Sequence, residues 1–88
     1  MPRIEFEELQ DAEPVYIAST LRLARRAEEC LTTAEVAYAV KVEEIGRSFL
    51  FGTVRMGAAF FVTSTSAEYC RQQLTAVGLG RGVVDLAE

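Results

Sequence analysis

Cysteine is the most reactive side chain in this 88-residue chain, and it occurs twice, at Cys30 and Cys70. The two lie far apart and show neither the CxxC spacing of a redox dithiol nor a Cys/His spacing that would hold zinc. Histidine is absent altogether, which removes the commonest metal ligand and the commonest general base. Each cysteine falls in the middle of an apolar line of helical period, where burial raises a thiol's pKa and leaves it inert. A disulfide would require the two helices to be neighbours and an oxidising compartment, which nothing in the sequence indicates.

The remaining chemistry-bearing groups are no better placed for catalysis. Gly78-Leu79-Gly80-Arg81-Gly82 has the glycine density of a phosphate loop, but it follows a helix, at the negative end of the dipole. Arg22, Arg25 and Arg26 form the one basic cluster, and Glu28 and Glu29 lie within a turn of it, so the group reads as a solvated, internally paired helix face. The carboxylates of the first fourteen residues cluster by composition and share no cleft that would shift a pKa for acid–base work. No catalytic residue, metal site or cofactor is expected.

These groups are carried by a simple succession of elements. Residues 1–14 form an acidic lead, read as a solvated tail with a weaker case for an edge strand at Ile4 and Phe6, and residues 15–88 form a single domain. Val15–Ala18 reads as a short buried strand, and Ser19 or Thr20 caps a helix running to about Ala34, with Leu23, Ala27, Cys30, Leu31 and Ala34 on its apolar side. Val36–Val42 alternates, with Val36, Tyr38, Val40 and Val42 toward the helices, and Glu44–Ser48 is the turn into a long strand from Phe49 to Thr63. Thr65-Ser66-Ala67-Glu68 matches a capping box that starts a second helix near Ser66. Ala67, Cys70, Leu74 and Val77 form its apolar line, Gly78 ends it, and Val83–Leu86 is a candidate last strand. The order predicts an α+β, ferredoxin-like β-α-β-β-α-β sandwich, with two helices on one face of an antiparallel sheet.

Strict alternation then decides what the other sheet face carries. Leu50, Val54, Met56, Ala58, Phe60 and Val62 point to the helices. Phe49, Phe51, Arg55 and Phe61, joined by Ala37, Ala39 and Lys41, are left on the far side, unless a bulge at Gly52 or Gly57 intervenes. An apolar face of that size marks an interface or a ligand groove. Phe49, Phe51, Phe61, Arg55 and Lys41 are therefore the candidate interface or groove residues.

Composition bounds the partners. A formal net charge of −4 repels polyanions and anionic membranes, so no nucleic acid and no membrane is expected as partner. No run of about 18 apolar residues occurs, and the acidic start is unlike a signal peptide, so the expected location is cytoplasmic.

The run Val15-Tyr16-Ile17-Ala18 through Ala27, Leu31 and Val36-Ala37-Tyr38-Ala39-Val40, then Phe61-Val62, Ser66-Ala67-Glu68 and Leu74, resembles the small prokaryotic "putative signal-transducing" domains with a PII-like fold. The resemblance spans roughly residues 15–79 and rests on strand, helix and capping positions. It implies a PII-like (ferredoxin-like) sandwich and a regulatory or ligand-sensing role in a bacterial cytoplasm, without catalytic residues. Two departures stand out. Glu35 occupies the place where a glycine often ends the first helix, and no long nucleotide-binding loop lies between Val42 and Phe49, so the ATP and 2-oxoglutarate binding of true PII proteins does not carry over.

The sequence thus points to a small homo-oligomeric binding or regulatory module, a dimer or trimer associating through its sheet, with a small-molecule ligand or protein partner. The alternative is a small enzyme or metabolite-binding protein with its site in a subunit groove, using Arg55, Lys41 or Tyr38.

Overall fold

A computed structural model describes residues 3–47 and 54–84, with side chains described for 3–44 and 56–84. It is an α+β protein of two helices and a three-stranded antiparallel sheet. The elements are β1 (Ala12–Ala18), α1 (Leu21–Thr33), β2 (Ala39–Arg47), β3 (Val54–Thr63) and α2 (Ser64–Ala76), in sheet order β1-β3-β2. β3 is central and antiparallel to both neighbours.

α1 forms where the 3.6 period predicts it. The Thr20 hydroxyl accepts from the Leu23 N–H at 3.1 Å, which satisfies one of the free amides of the first turn. Its C-terminus carries a cost: Glu35 sits at φ 60°, the left-handed conformation that a glycine would adopt without a Cβ clash. At the end of α2, Gly78 fills the equivalent place at φ 88°.

α2 begins earlier than its sequence indicates. Thr63 is the N-cap and the helix runs directly out of β3 from Ser64, so the expected capping box of Thr65 and Glu68 is not what starts it. The Ser64 N–H is held instead by the Asp11 carbonyl at 3.0 Å, which ties the first turn to the chain entering β1. β2 also differs: it continues through Arg47, and the expected turn at Glu44 is only a break in register between Glu44 and Gly46. Gly57 pairs in register with Glu43, so no bulge falls there, and Gly52 lies outside the described residues. The second irregularity is in β1, between Pro14 and Tyr16. It lets the adjacent Val15 and Tyr16 both enter the core.

One apolar cluster unites the layers: Tyr16, Phe60, Val62 and Tyr38 from the strands and their flanks, Ala27 and Leu31 from α1, Ala67, Cys70 and Leu74 from α2. Tyr16 and Tyr38 flank Phe60 at ring-centroid distances of 6.0 and 5.8 Å. Val77, expected on the same line, is exposed at the end of α2. The C-terminal segment closes against the outer edge of β1: Val83 bridges Tyr16 antiparallel, and the Val84 N–H donates to the Val15 carbonyl at 3.0 Å. Of the expected last strand, residues 85–88 lie outside the described residues.

A buried charge locks this closure. Arg71 is only 7% exposed, and its guanidinium donates to the Val84 carbonyl (2.6 Å), the Pro14 carbonyl (3.0 Å) and the Glu13 carboxylate (2.6 Å). Gly82 completes the contact, since a Cβ there would run into the Tyr16 ring and lie 2.7 Å from the Ile17 carbonyl oxygen.

Arg71→Ala is expected to destabilise the protein by about 3 kcal/mol, because it strands a partly buried carboxylate and two carbonyls. Gly82→Ala should cost about 1–3 kcal/mol by overpacking, whereas Glu35→Gly should be neutral or stabilising by up to about 1 kcal/mol. Thermal and denaturant unfolding of the three variants measures all of these.

Candidate functional site

The five sequence-predicted residues divide among three situations. Phe49 and Phe51 lie outside the described residues. Arg55 is in β3, paired with Gly46. Phe61 and Lys41 lie on the far side of the sheet from the helices, but that side is not open there.

The acidic lead, expected to be solvated, folds back on it. The Ile4 N–H donates to the Tyr38 carbonyl at 2.8 Å, in a parallel bridge of Arg3 with Tyr38, and a 3-10 turn follows over Phe6–Glu8. The Glu8 carboxylate accepts from the Glu5 N–H at 3.0 Å and so stabilises the turn from within. Phe6 then meets Phe61 edge to face at 5.0 Å between ring centroids, and the Lys41 ammonium stands 4.2 Å from the centroid of the Phe6 ring. Arg3 anchors the lead to α1 through Glu28 (3.2 Å), which also accepts from the Tyr38 hydroxyl at 3.1 Å. Glu28 is thus engaged by the lead and the core tyrosine, not by Arg25 as the helix spacing indicates. Of the arginine cluster, Arg26 donates to the Val77 carbonyl at 2.7 Å and caps the end of α2.

Among the described residues, uncovered apolar side chains occur at the end of the helix layer, Tyr69 and Val77, and on the helix side of the sheet. α1 packs chiefly on β1 and α2, and α2 on β1 and β3. Among the described residues, the far part of β2 and β3 therefore has no cover on that side. Val42 and Met56 do point to the helix side, as alternation predicts, yet they are 71% and 51% exposed, and Leu21 beside them at the start of α1 is 68% exposed. Together with Ala18, Ala24 and Ala58 they line a shallow groove of about 250 Å³. A second groove, of about 380 Å³, runs between the helices and is lined by Arg26, Glu29, Cys30, Thr33, Tyr69 and Gln73.

The thiols are both free. Cys70 is fully buried, and its burial, reinforced by the neighbouring Cys30 and opposed by Arg71, pushes its pKa up to about 11. Burial also raises Cys30, which is only half-buried, and the phenols of Tyr16 and Tyr38. Among the described residues no three metal-ligating side chains come together, and no helix is long and apolar enough to cross a membrane. Compared with known protein families, curated proteins and solved structures, the chain matches none.

Two outcomes follow from the thiols. At pH 8 the Cys70 thiolate fraction is roughly 10⁻³, so native Cys70 should alkylate at least about 100-fold more slowly than in the unfolded chain, with Cys30 modified first. A folded pKa raised above the unfolded value means stability that is complete below pH 9 and lost as pH rises toward 11. Cys70 alone accounts for about 2–3 kcal/mol of that loss. Mass-resolved alkylation and unfolding at stepped pH check the two results.

Proposed function

We propose that this chain is a homo-oligomeric binding and regulatory module with a ferredoxin-like, PII-like topology, and that it works by self-association through its sheet. The topology reading is supported by β3 lying antiparallel between β1 and β2, which makes those two strands parallel to each other, and by the bridge of Val83 to the outer edge of β1. The order would then be last strand, β1, β3, β2.

The observation that carries the functional reading is the concentration of exposed apolar side chains. Leu21, Val42 and Met56 come from three different elements and meet along one groove. Scattered apolar residues on a surface are ordinary, but a contiguous group on an uncovered sheet flank favours an interface. The occupant is a second copy of the chain. This puts the contact on the helix-side flank of β2 and β3, while Phe61 is occupied by the chain's own Phe6. A regulatory role follows from association and from the resemblance to signal-transducing domains, and it requires no reaction at the site.

Leu21→Glu is the decisive variant, because a carboxylate at the first helical position favours the α1 dipole and spares the fold. In sedimentation equilibrium the wild-type chain should be a dimer or higher oligomer, and Leu21→Glu should weaken association roughly tenfold or more, with melting unchanged or raised at dilutions where both chains are monomeric. A wild-type monomer at every concentration, or an oligomer indifferent to Leu21→Glu, would overturn the reading.

A further inference from the structure

The glycine-rich loop after α2 encloses a space at the outer edge of β1. Gly78 turns the chain back at φ 88°, a 3-10 turn follows over Gly80–Gly82, and the antiparallel bridge of Val83 to Tyr16 then runs the segment along β1 toward Val15. Between this loop, the end of β1 and the first turn of α1 lies a cavity of about 570 Å³, within the range of small-molecule sites. Ile17, Leu23, Leu79 and Val84 make its walls apolar. Its polar side chains are Tyr16, Ser19 and Arg81, and no carboxylate is among the described residues that line it.

The fold leaves these polar groups without protein partners. Tyr16 is only 1% exposed, yet among the described residues its hydroxyl has no hydrogen-bond partner and keeps its contact with solvent, in the cavity that Tyr16 lines. A Cβ on Gly82 would lie 2.8 Å from Tyr16 Cζ, the carbon that carries this hydroxyl, so the phenol meets the cavity at the loop wall. A phenol so deeply buried normally has a partner. Burial, opposed by Arg26, raises its pKa, which keeps it a neutral donor at physiological pH. Arg81 is exposed, and among the described residues neither its guanidinium nor the Ser19 hydroxyl is hydrogen-bonded or ion-paired. The loop follows the negative end of α2, but Arg26 donates to the Val77 carbonyl there at 2.7 Å and stands 3.8 Å from where a Gly78 Cβ would be. A cation therefore offsets the helix end.

We propose that this cavity binds a small organic anion, an apolar body ending in a carboxylate or phosphate, with Arg81 and the Tyr16 and Ser19 hydroxyls on the anionic end. The guanidinium offers parallel donors that suit either group, and the hydroxyls donate to its remaining oxygens. The apolar body lies against Ile17, Leu23 and Leu79. The net charge of −4 opposes extended polyanions, whereas a short anion meets chiefly the local cations. This site goes beyond self-association and does not rest on it, since the groove of Leu21, Val42 and Met56 shares only Ser19 with it.

Amide NMR titration with phenylacetate and with phenyl phosphate tests the site, with phenylacetamide as the neutral body and inorganic phosphate as the bare anion. At least one phenyl anion should shift Ile17, Ser19, Leu23, Arg81 and Gly82 saturably, and bind roughly tenfold or more tightly than phenylacetamide or inorganic phosphate. The two arms distinguish a carboxylate from a phosphate ligand. Arg81→Gln should weaken binding roughly tenfold or more, while Arg25→Gln, outside the cavity, leaves it unchanged. Tyr16→Phe should weaken it about three- to tenfold with melting unchanged or raised, because the hydroxyl gives up no protein partner. The proposal is overturned if neither phenyl anion saturates by about 10 mM. Phenylacetamide binding as tightly as the anions, wild-type affinity in both Arg81→Gln and Tyr16→Phe, or shifts centred on Tyr69 and Gln73 would overturn it equally. A dimer that Leu21→Glu dissociates, without anion binding, removes this site and leaves self-association standing; anion binding by a chain that is always monomeric does the reverse.

Discussion

The structure depends on one buried cation. Arg71 projects from the middle of α2 into a nearly closed site, where a guanidinium without partners would be strongly disfavoured. Its partners come from both ends of the chain: Glu13 and Pro14 at the start of β1, and Val84 at the close of the C-terminal segment. The break in register at Val15 gives the Pro14 carbonyl an irregular environment, and Arg71 satisfies it. One side chain thus fixes where β1 begins, where α2 lies against it and where the C-terminus closes. With Gly82 admitting the Tyr16 ring, these contacts set the helix layer over β1 and β3.

That placement determines the surface. Helices seated over β1 and β3 cover Phe60, Val62 and Tyr16 but leave the far part of β2 bare, so that Val42 and Met56, patterned as core residues, emerge into solvent. On the opposite face the lead supplies its own cover through Phe6 on Phe61. Among the described residues, exposed apolar side chains from three elements therefore meet on that flank, and the proposed association rests on the area their contact would bury.

Much of this was legible in the sequence where the determinant is local. The Thr20 cap, the apolar line of α1, the turn at Gly78 and the alternation of Ala58, Phe60 and Val62 all follow from short-range rules, and the structure has them. Determinants between distant residues were not legible. An acidic lead reads as solvated unless Phe6 is known to reach Phe61, and Val42 reads as core unless the span of the helix layer is known. The start of α2 moved because Asp11 holds Ser64. Arg71 reads as one more charged helix residue, although a signal was present: it sits four residues after Ala67 and three before Leu74, on the very stripe that those buried residues define. A charge on a buried stripe calls for a partner, and only the fold identifies Glu13.

The proposed assembly turns on whether the flank of Leu21, Val42 and Met56 is covered by a second copy. Methyl NMR, recorded at low and high protein concentration, reads this directly. The methyl signals of Leu21, Val42 and Met56 are expected to shift together as concentration rises, while those of Leu31, Val62 and Leu74 in the core stay in place. Methyl signals of Leu21, Val42 and Met56 that are unchanged at every concentration would contradict association through the flank.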